Sequence, residues 1–306
     1  MDGNCVSVPA CDRDRDTPRA HDTSPDTDAA TGAGDVLAFS ELAVKTSLHS
    51  FAGEDIYKMS APVRGICLIV NNIKFQKEEW NRSGAEKDGE GLREVFQQLG
   101  FSVHYLEDLT ANQMISVFED YAQREDHKEA DCFVSIILTH GWKENALFGV
   151  DNLLISLYDN VVALFNNENC PGLMQKPKLF FVQACRGELQ DKGVSLMNVA
   201  DAAGFVAPGV QRLEPRLPSW SDTLICFSTI DGYYSLRNVN TGSWFVDALI
   251  RTLCEHACDT ELHALLIKVN VRLMQREGSL DLKQSLEKQY RGWSRAFYFN
   301  PGHYSF

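Results

Sequence analysis

From residue 64 onward, short apolar runs alternate with stretches in which apolar residues recur every three or four positions. The apolar runs are typical of buried parallel strands, predicted at 64–70, 101–106, 132–138, 177–182 and 223–227. The periodic stretches predict helices at 85–99, 110–124, 153–165, 244–257 and 261–275. A last strand is expected at 295–299. This order predicts an α/β domain, with a mostly parallel sheet flanked by helices on both faces.

Composition narrows the class of protein. The 306 residues suffice for one α/β domain and a tail, and the 44% apolar content can fill its core. A net charge of −13 argues against a nucleic-acid partner. The nine cysteines are odd in number and show no disulfide spacing. Because no apolar stretch is long enough for a membrane helix or a signal peptide, a cytoplasmic protein without membrane contact is expected.

Two segments depart from the alternating pattern. Residues 1–35 contain eight Asp and three Arg but almost no large apolar side chains, so a disordered acidic segment is predicted there. Residues 187–221 are polar, with Gly, Pro and Ser and no clear period. A structureless stretch of this length inside a compact domain is typical of a functional loop.

Two reactive side chains follow two of the predicted strands. Cys185 comes just after the strand 177–182, and His140 comes just after the strand 132–138. Open α/β sheets place their active sites at such strand ends. A thiol can attack a carbonyl while an imidazole takes its proton, and the N–H groups of Gly141 and Cys185 could hold the oxyanion. A lone buried cysteine or core histidine is the alternative, and the combined pattern favours catalysis.

The five residues Gln183–Gly187, with a histidine 185 − 140 = 45 positions upstream, resemble the active-site motif of the caspase family. The resemblance runs from about Tyr57 to Phe299. It implies a cysteine endopeptidase that cleaves proteins after Asp, needs no cofactor and executes apoptosis. The short acidic segment at 1–35 is similar to the prodomain of effector caspases.

The resemblance also implies a pocket for the substrate Asp. Arg82 lies in the stretch Asn81–Gly84 and Arg237 in Tyr233–Asn238, and both stretches are similar to family motifs. With Gln183 these arginines would form the S1 pocket, because guanidinium binds carboxylate through paired hydrogen bonds. The other substrate-binding residues implied are Tyr234, Ser235, Asn238 and Trp244. Trp244 is placed in S4, with a core tryptophan as the alternative. Leu236 and the short segment 276–295 differ from effector caspases, so the P2 and P4 preferences stay open.

Family members are zymogens activated by cleavage after Asp. The resemblance therefore implies a prodomain at 1–35 cut near Asp28 or Asp35, a large subunit at 36–201 and a small subunit at 202–306. The linker loop at 187–221 would be cut after Asp201, with Asp191 a weaker site. Expected partners are substrates with Asp at P1, an upstream activating caspase and caspase inhibitor proteins. A homodimer of large and small subunit pairs would form through the strand 295–299.

Three other interpretations have less support from the sequence. Cys254, His256, Cys258 and His263 have zinc-like spacing, but no second paired cluster supports them, so no metal is predicted. A peptidase specific for Arg or Lys would need acidic pocket residues. A catalytically silent regulator that binds another caspase has no need to keep the thiol, the imidazole and both arginines, so the enzyme is favoured.

Overall fold

The computed structural model describes residues 43–187, 189–191, 218–276 and 282–304. The predictions for residues 1–35, with Asp28 and Asp35, lie outside the described residues, as do Asp201 and most of the 187–221 loop. Within the described part, no helix is long and apolar enough to cross a lipid bilayer.

The core of the protein is a six-stranded sheet in the order β10-β7-β6-β3-β1-β2. Five strands are parallel and β10 pairs antiparallel with β7 at one edge. The strands of this sheet are β1 (Ile66–Asn71), β2 (Ser102–Glu107), β3 (Phe133–Leu138), β6 (Lys178–Gln183), β7 (Thr223–Phe227) and β10 (Glu287–Arg291). Two small hairpins stand apart, β4 (Ala146–Phe148) with β5 (Leu154–Ser156) and β8 (Arg237–Asn238) with β9 (Gly242–Ser243).

Helices cover both faces of the sheet. The helices are α1 (Ala85–Gln98), α2 (Ala111–Ala122), α3 (Leu157–Asn160), α4 (Trp244–His256) and α5 (Leu262–Met274). Alternate residues of the buried strands enter different cores. Cys67 and Ile69 of β1 pack with α1, α4 and α5, whereas Leu68 and Val70 pack with α2 and α3. The two-sided burial explains the continuous apolar runs and confirms the predicted α/β fold.

The register of the central strands brings several chain ends to one edge. Asn71 of β1 lies opposite Leu138 of β3, which lies opposite Gln183 of β6. The segments that follow these strands therefore leave the sheet side by side. Cys185 and His140 belong to two of these segments, so the fold places them together as the sequence predicts.

The helix predicted at 153–165 is wrong over most of its length. Leu154–Ser156 is strand β5, paired with β4, and only Leu157–Asn160 is α-helical. The backbone of Val161 departs from helical geometry, with φ −128° and ψ −72°, and a 3-10 turn follows over Val162–Phe165. The regularly spaced apolar residues of this segment bury separate short elements and do not form one face of a helix.

The strand predicted at 295–299 is also wrong. Only Ala296 makes a bridge, to Ile56, while Phe297 and Phe299 are fully buried in the core. The edge strand is instead Glu287–Arg291, which the sequence analysis missed because its residues are mostly polar. Residues 295–299 therefore offer no edge strand for pairing with a second copy, and β10 and β2 are the two edge strands of the sheet. Dimerisation itself stays a prediction.

Candidate active site

The loops that carry Cys185 and His140 are in direct contact. A Cβ atom added to Gly141 would lie 2.2 Å from the carbonyl oxygen of Cys185. Real Cβ atoms do not approach oxygen so closely, so only glycine allows this packing. Gly141 also faces Leu147 as an antiparallel bridge, flanked by the hydrogen bonds Trp142 N–H to Ala146 O and Phe148 N–H to His140 O. In that pattern the Gly141 N–H points away from the hairpin.

The imidazole of His140 is oriented by a backbone carbonyl. Its Nε2 lies 2.7 Å from the carbonyl oxygen of Trp80. A carbonyl oxygen only accepts hydrogen bonds, so Nε2 is the nitrogen that carries the proton. In the neutral ring Nδ1 then has a free lone pair and can accept a proton.

Aromatic side chains surround this imidazole. The ring of Phe75 lies 4.9 Å and that of Trp80 5.7 Å from the ring of His140, centroid to centroid. Burial lowers the pKa of His140 to about 3, and the positive charge of Arg82 acts in the same direction. The histidine is therefore neutral at physiological pH, as a general base must be.

The thiol of Cys185 is held by the segment that follows β7. The backbone N–H of Ser235 donates to Sγ at 3.4 Å. Burial raises the pKa of the thiol, while the Ser235 N–H and the charges of Arg237 and Arg82 oppose that rise. Cys185 is thus a neutral thiol in this conformation, and its ionisation needs a proton acceptor.

Arg82 is a cation enclosed by the protein. Its side chain is 2% exposed, and Nη1 donates to Asn71 Oδ1 at 3.1 Å and to the Asn72 carbonyl oxygen at 2.8 Å. The pKa of the guanidinium is lowered to about 9, chiefly by burial and also by the nearby charge of Arg237. An anionic ligand would offset the repulsion between the two cations in this pocket.

Gln183 completes this pocket. Its Nε2 donates to Ser235 Oγ at 2.8 Å. Its Oε1 is buried and accepts no hydrogen bond from any part of the chain that the structure describes. Ser235, two residues before Arg237, contacts both Cys185 and Gln183. The charges of Arg82 and Arg237 also lower the pKa values of Cys185 and His140, so the cations, thiol and imidazole occupy one site.

The other predicted residues are placed less uniformly. Trp244 is 3% exposed and packs in the core at the start of α4, so its place in S4 stays a prediction. Asn238 accepts the N–H groups of Asn240 and Thr241 through Oδ1, which shapes the β8–β9 turn. Tyr234 donates its N–H to Leu189. The Asp191 carbonyl oxygen accepts the Lys283 N–H, so this candidate cleavage site is tied to the domain.

Sequence reasoning missed three residues that support the site, and two of them, Trp80 and Arg186, lie close to predicted site residues in the chain. Trp80 orients His140, and its only sequence signal is its place two residues before Arg82. Arg186 was seen only as part of the cysteine motif. It is 4% exposed, donates through Nε to Asn145 Oδ1 at 2.9 Å and pairs with Glu287 on β10.

A third missed residue links the pocket to α1. The carboxylate of Asp88 accepts the Ser243 N–H at 2.8 Å and the Ser243 hydroxyl at 2.5 Å. Burial raises the pKa of Asp88, and the charges of Arg82 and Arg237 oppose that rise. The Asp88 carboxylate on α1 therefore stabilises the positive charges of Arg82 and Arg237.

Comparison with known proteins supports the family resemblance that the sequence motifs indicate. Residues 64–297 match the family model described as "Caspase domain". Caspase-2 of Gallus gallus is 35% identical over 232 residues, which are 72% of this chain and 54% of that protein. Cell death protein 3 of Caenorhabditis remanei is 33% identical over 275 residues, 82% of this chain and 53% of that protein. The chain thus spans about half the length of these two relatives.

A solved structure agrees with the fold. Caspase-1 from Spodoptera frugiperda superposes with a TM-score of 0.71 at 29% identity, over 83% of this chain and 99% of that one. Because the family model covers most of the chain, this protein belongs to the caspase family.

Proposed function

We propose that the protein is an Asp-specific cysteine endopeptidase, made as a zymogen and acting in apoptosis. The observation that carries the proposal is the single site at the strand ends, in which a thiol and a neutral imidazole adjoin a buried pocket with two cations. Cys185 is the nucleophile and His140 the base. Arg82, Gln183 and Arg237 bind the substrate carboxylate.

The reaction follows from this arrangement. The thiol proton passes to Nδ1 of His140 as Sγ attacks the scissile carbonyl carbon, and the carbonyl electrons move onto oxygen. The N–H groups of Gly141 and Cys185 hold that oxyanion, each worth about 3 kcal/mol of barrier. The imidazolium then protonates the leaving amine, and the C–N bond breaks to give a thioester. Water, deprotonated by His140, hydrolyses the thioester and restores the thiol.

A pair of neutral groups suits this chemistry in a closed site. Moving the proton from thiol to imidazole creates charge only when substrate is present. The substrate backbone would lie along Ser235 and Arg237 as an added strand, which fits the short β8–β9 hairpin. A peptide bound in this way displaces water from Cys185.

The proposal includes activation and assembly. Cleavage after Asp201, and near Asp28 or Asp35, would give the subunits 36–201 and 202–306, and an upstream caspase would make the first cut. Asp191 is a poorer site, because its paired backbone must open before a protease can bind it. A second copy would pair along the open edge of β10. Caspase inhibitor proteins would occupy the same cleft as substrates, in the cytoplasm.

The test is cleavage of fluorogenic tetrapeptides that differ only at P1, carrying Asp, Asn, Glu or Arg. The linker-cut wild-type protein is compared with Cys185→Ala. Release after Asp alone, lost in the variant, supports the proposal. If a folded, cut protein cleaves none of the peptides, the protein is instead a catalytically silent regulator that binds another caspase.

A further inference from the structure

Gln284 is a buried polar residue whose amide joins three parts of the site. It lies between α5 and β10 and is 1% exposed. Its Oε1 accepts the backbone N–H of Leu236 at 2.8 Å, and its Nε2 donates to the carbonyl oxygen of Ser228 at 2.7 Å. The same Nε2 lies 3.4 Å from Ser235 Oγ. Both ends of the amide are therefore used inside the protein.

The groups that Gln284 holds lead directly to the reacting atoms. Ser235 donates its N–H to Cys185 Sγ, and its hydroxyl receives Gln183 Nε2. Ser228 lies just after β7, where its N–H donates to the Val182 carbonyl oxygen and its hydroxyl to the Ala184 carbonyl oxygen. The amide of Gln284 thus links the end of β7, the loop of the cysteine and the segment 235–237.

We propose that Gln284 is a positioning residue that fixes the segment 235–237 against Cys185 and so sets the register of the bound peptide. The proposal rests on the proposed function for its meaning in catalysis. Gln284 does not touch the reacting atoms, and it acts through Ser235 and Leu236. The backbone of the segment 235–237 is held by the two-residue pairing of β8 with β9 and by the Trp244 N–H, which donates to the Leu236 carbonyl oxygen. The side-chain amide of Gln284 adds the partner of the Leu236 N–H.

The chemistry of the amide explains why glutamine suits this position. The site needs one acceptor for a backbone N–H and one donor for a backbone carbonyl, and a side-chain amide offers both on separate atoms of one neutral group. Gln284→Met keeps the length and apolar body but removes both bonds. Gln284→Glu keeps the acceptor for Leu236 when ionised and loses the donor to Ser228. Gln98→Met is the matched control, because Gln98 Oε1 accepts the Val44 N–H at 2.7 Å on α1, outside this network.

The experiment measures three quantities on linker-cut protein, each per titrated folded molecule. They are kcat and KM for an Asp tetrapeptide, the Kd of a reversible Asp-aldehyde peptide, and the rate of Cys185 alkylation by iodoacetamide. For Gln284→Met we expect Kd and KM to rise about tenfold, as for loss of one buried hydrogen bond. The alkylation rate should change at least about threefold, because the Ser235 contact to Sγ loosens. Gln284→Glu should lie between wild type and Gln284→Met.

The outcomes separate this proposal from the proposed function. A purely structural Gln284 would lower the melting temperature while the Kd and the alkylation rate stay within twofold of Gln98→Met, and that result overturns the proposal. If wild type neither cleaves nor binds the Asp peptides, the proposed function fails. The alkylation rates of Gln284→Met and Gln98→Met then decide the proposal by themselves, a shared rate overturning it and a selective change supporting it.

Discussion

His140 should make the protein unstable in mild acid. In the folded protein burial holds its pKa at about 3, whereas the ordinary value is 6.5. As the pH falls below 6.5 the unfolded chain binds a proton at this histidine and the folded protein does not. Stability is therefore complete above the unfolded pKa and is lost progressively down to the folded value. The perturbation is a change from pH 7.5 to pH 5.0, compared between wild type and His140→Gln.

The size of the effect follows from the two pKa values. Between pH 7.5 and 5.0 the unfolded state gains about 2 kcal/mol from protonation of this one imidazole, and the folded state gains almost nothing. Glutamine has no charge change in this range and can still donate to the Trp80 carbonyl oxygen. Other groups, including His104 and His127, titrate in both proteins and cancel in the difference.

The assay is urea unfolding of both proteins at both pH values. Wild type should lose about 2 kcal/mol more of its free energy of unfolding than His140→Gln between pH 7.5 and 5.0. Equal losses in the two proteins would refute the reasoning, because they would show that His140 is protonated in the folded state. His127→Gln serves as the control for a buried histidine outside the site.

Three further predictions concern residues of the candidate site and the elements that support it. Gly141→Ala places a methyl group against the Cys185 carbonyl oxygen. The two proposed oxyanion donors should then separate, and kcat should fall about 100-fold or more. A fall of less than twofold would show that the close approach of Gly141 to Cys185 is not needed for activity. Arg82→Lys keeps the positive charge but loses the planar guanidinium. We expect kcat/KM for Asp peptides to fall about 100-fold, while iodoacetamide still alkylates Cys185. Full activity would show that Arg82 does not bind the substrate carboxylate. Arg186→Met leaves Glu287 without its buried partner. The free energy of unfolding in urea should fall by about 3 kcal/mol. An unchanged urea midpoint would show that the ion pair does not contribute to stability.

Much of the sheet could be predicted because buried parallel strands leave a strong signal. β3 and β6 are fully buried on both faces, so most of their residues are apolar, with Ser135 in β3 and Lys178 and Gln183 at the ends of β6 as the exceptions. The same reasoning fails at the sheet edge. Glu287–Arg291 is half-exposed and polar, so its pairing with β7 depends on neighbours far away in sequence. Phe297 and Phe299 are apolar because they fill the core, not because they form a strand.

The candidate site shows the same division. Cys185, His140 and the two arginines lie within short motifs, and the strand ends bring them together. The contribution of Trp80 is a backbone carbonyl, which any residue could supply, so residue type carries no signal for it. Asp88 acts from the interior of α1 through Ser243, 155 positions away in the chain. Such contacts are fixed by the tertiary fold and are not visible in local sequence.

The most direct test of the account is covalent capture of the nucleophile. The linker-cut protein is treated with a peptide chloromethyl ketone that ends in Asp, beside the analogue that ends in Asn; the thiolate displaces chloride, and the adduct is located by peptide mass mapping. The account predicts one thioether, on Cys185, formed with the Asp reagent and lost in Arg82→Met. Labelling of another cysteine, or equal labelling by the Asn analogue, would contradict the claim that a thiol and a carboxylate pocket form one active site.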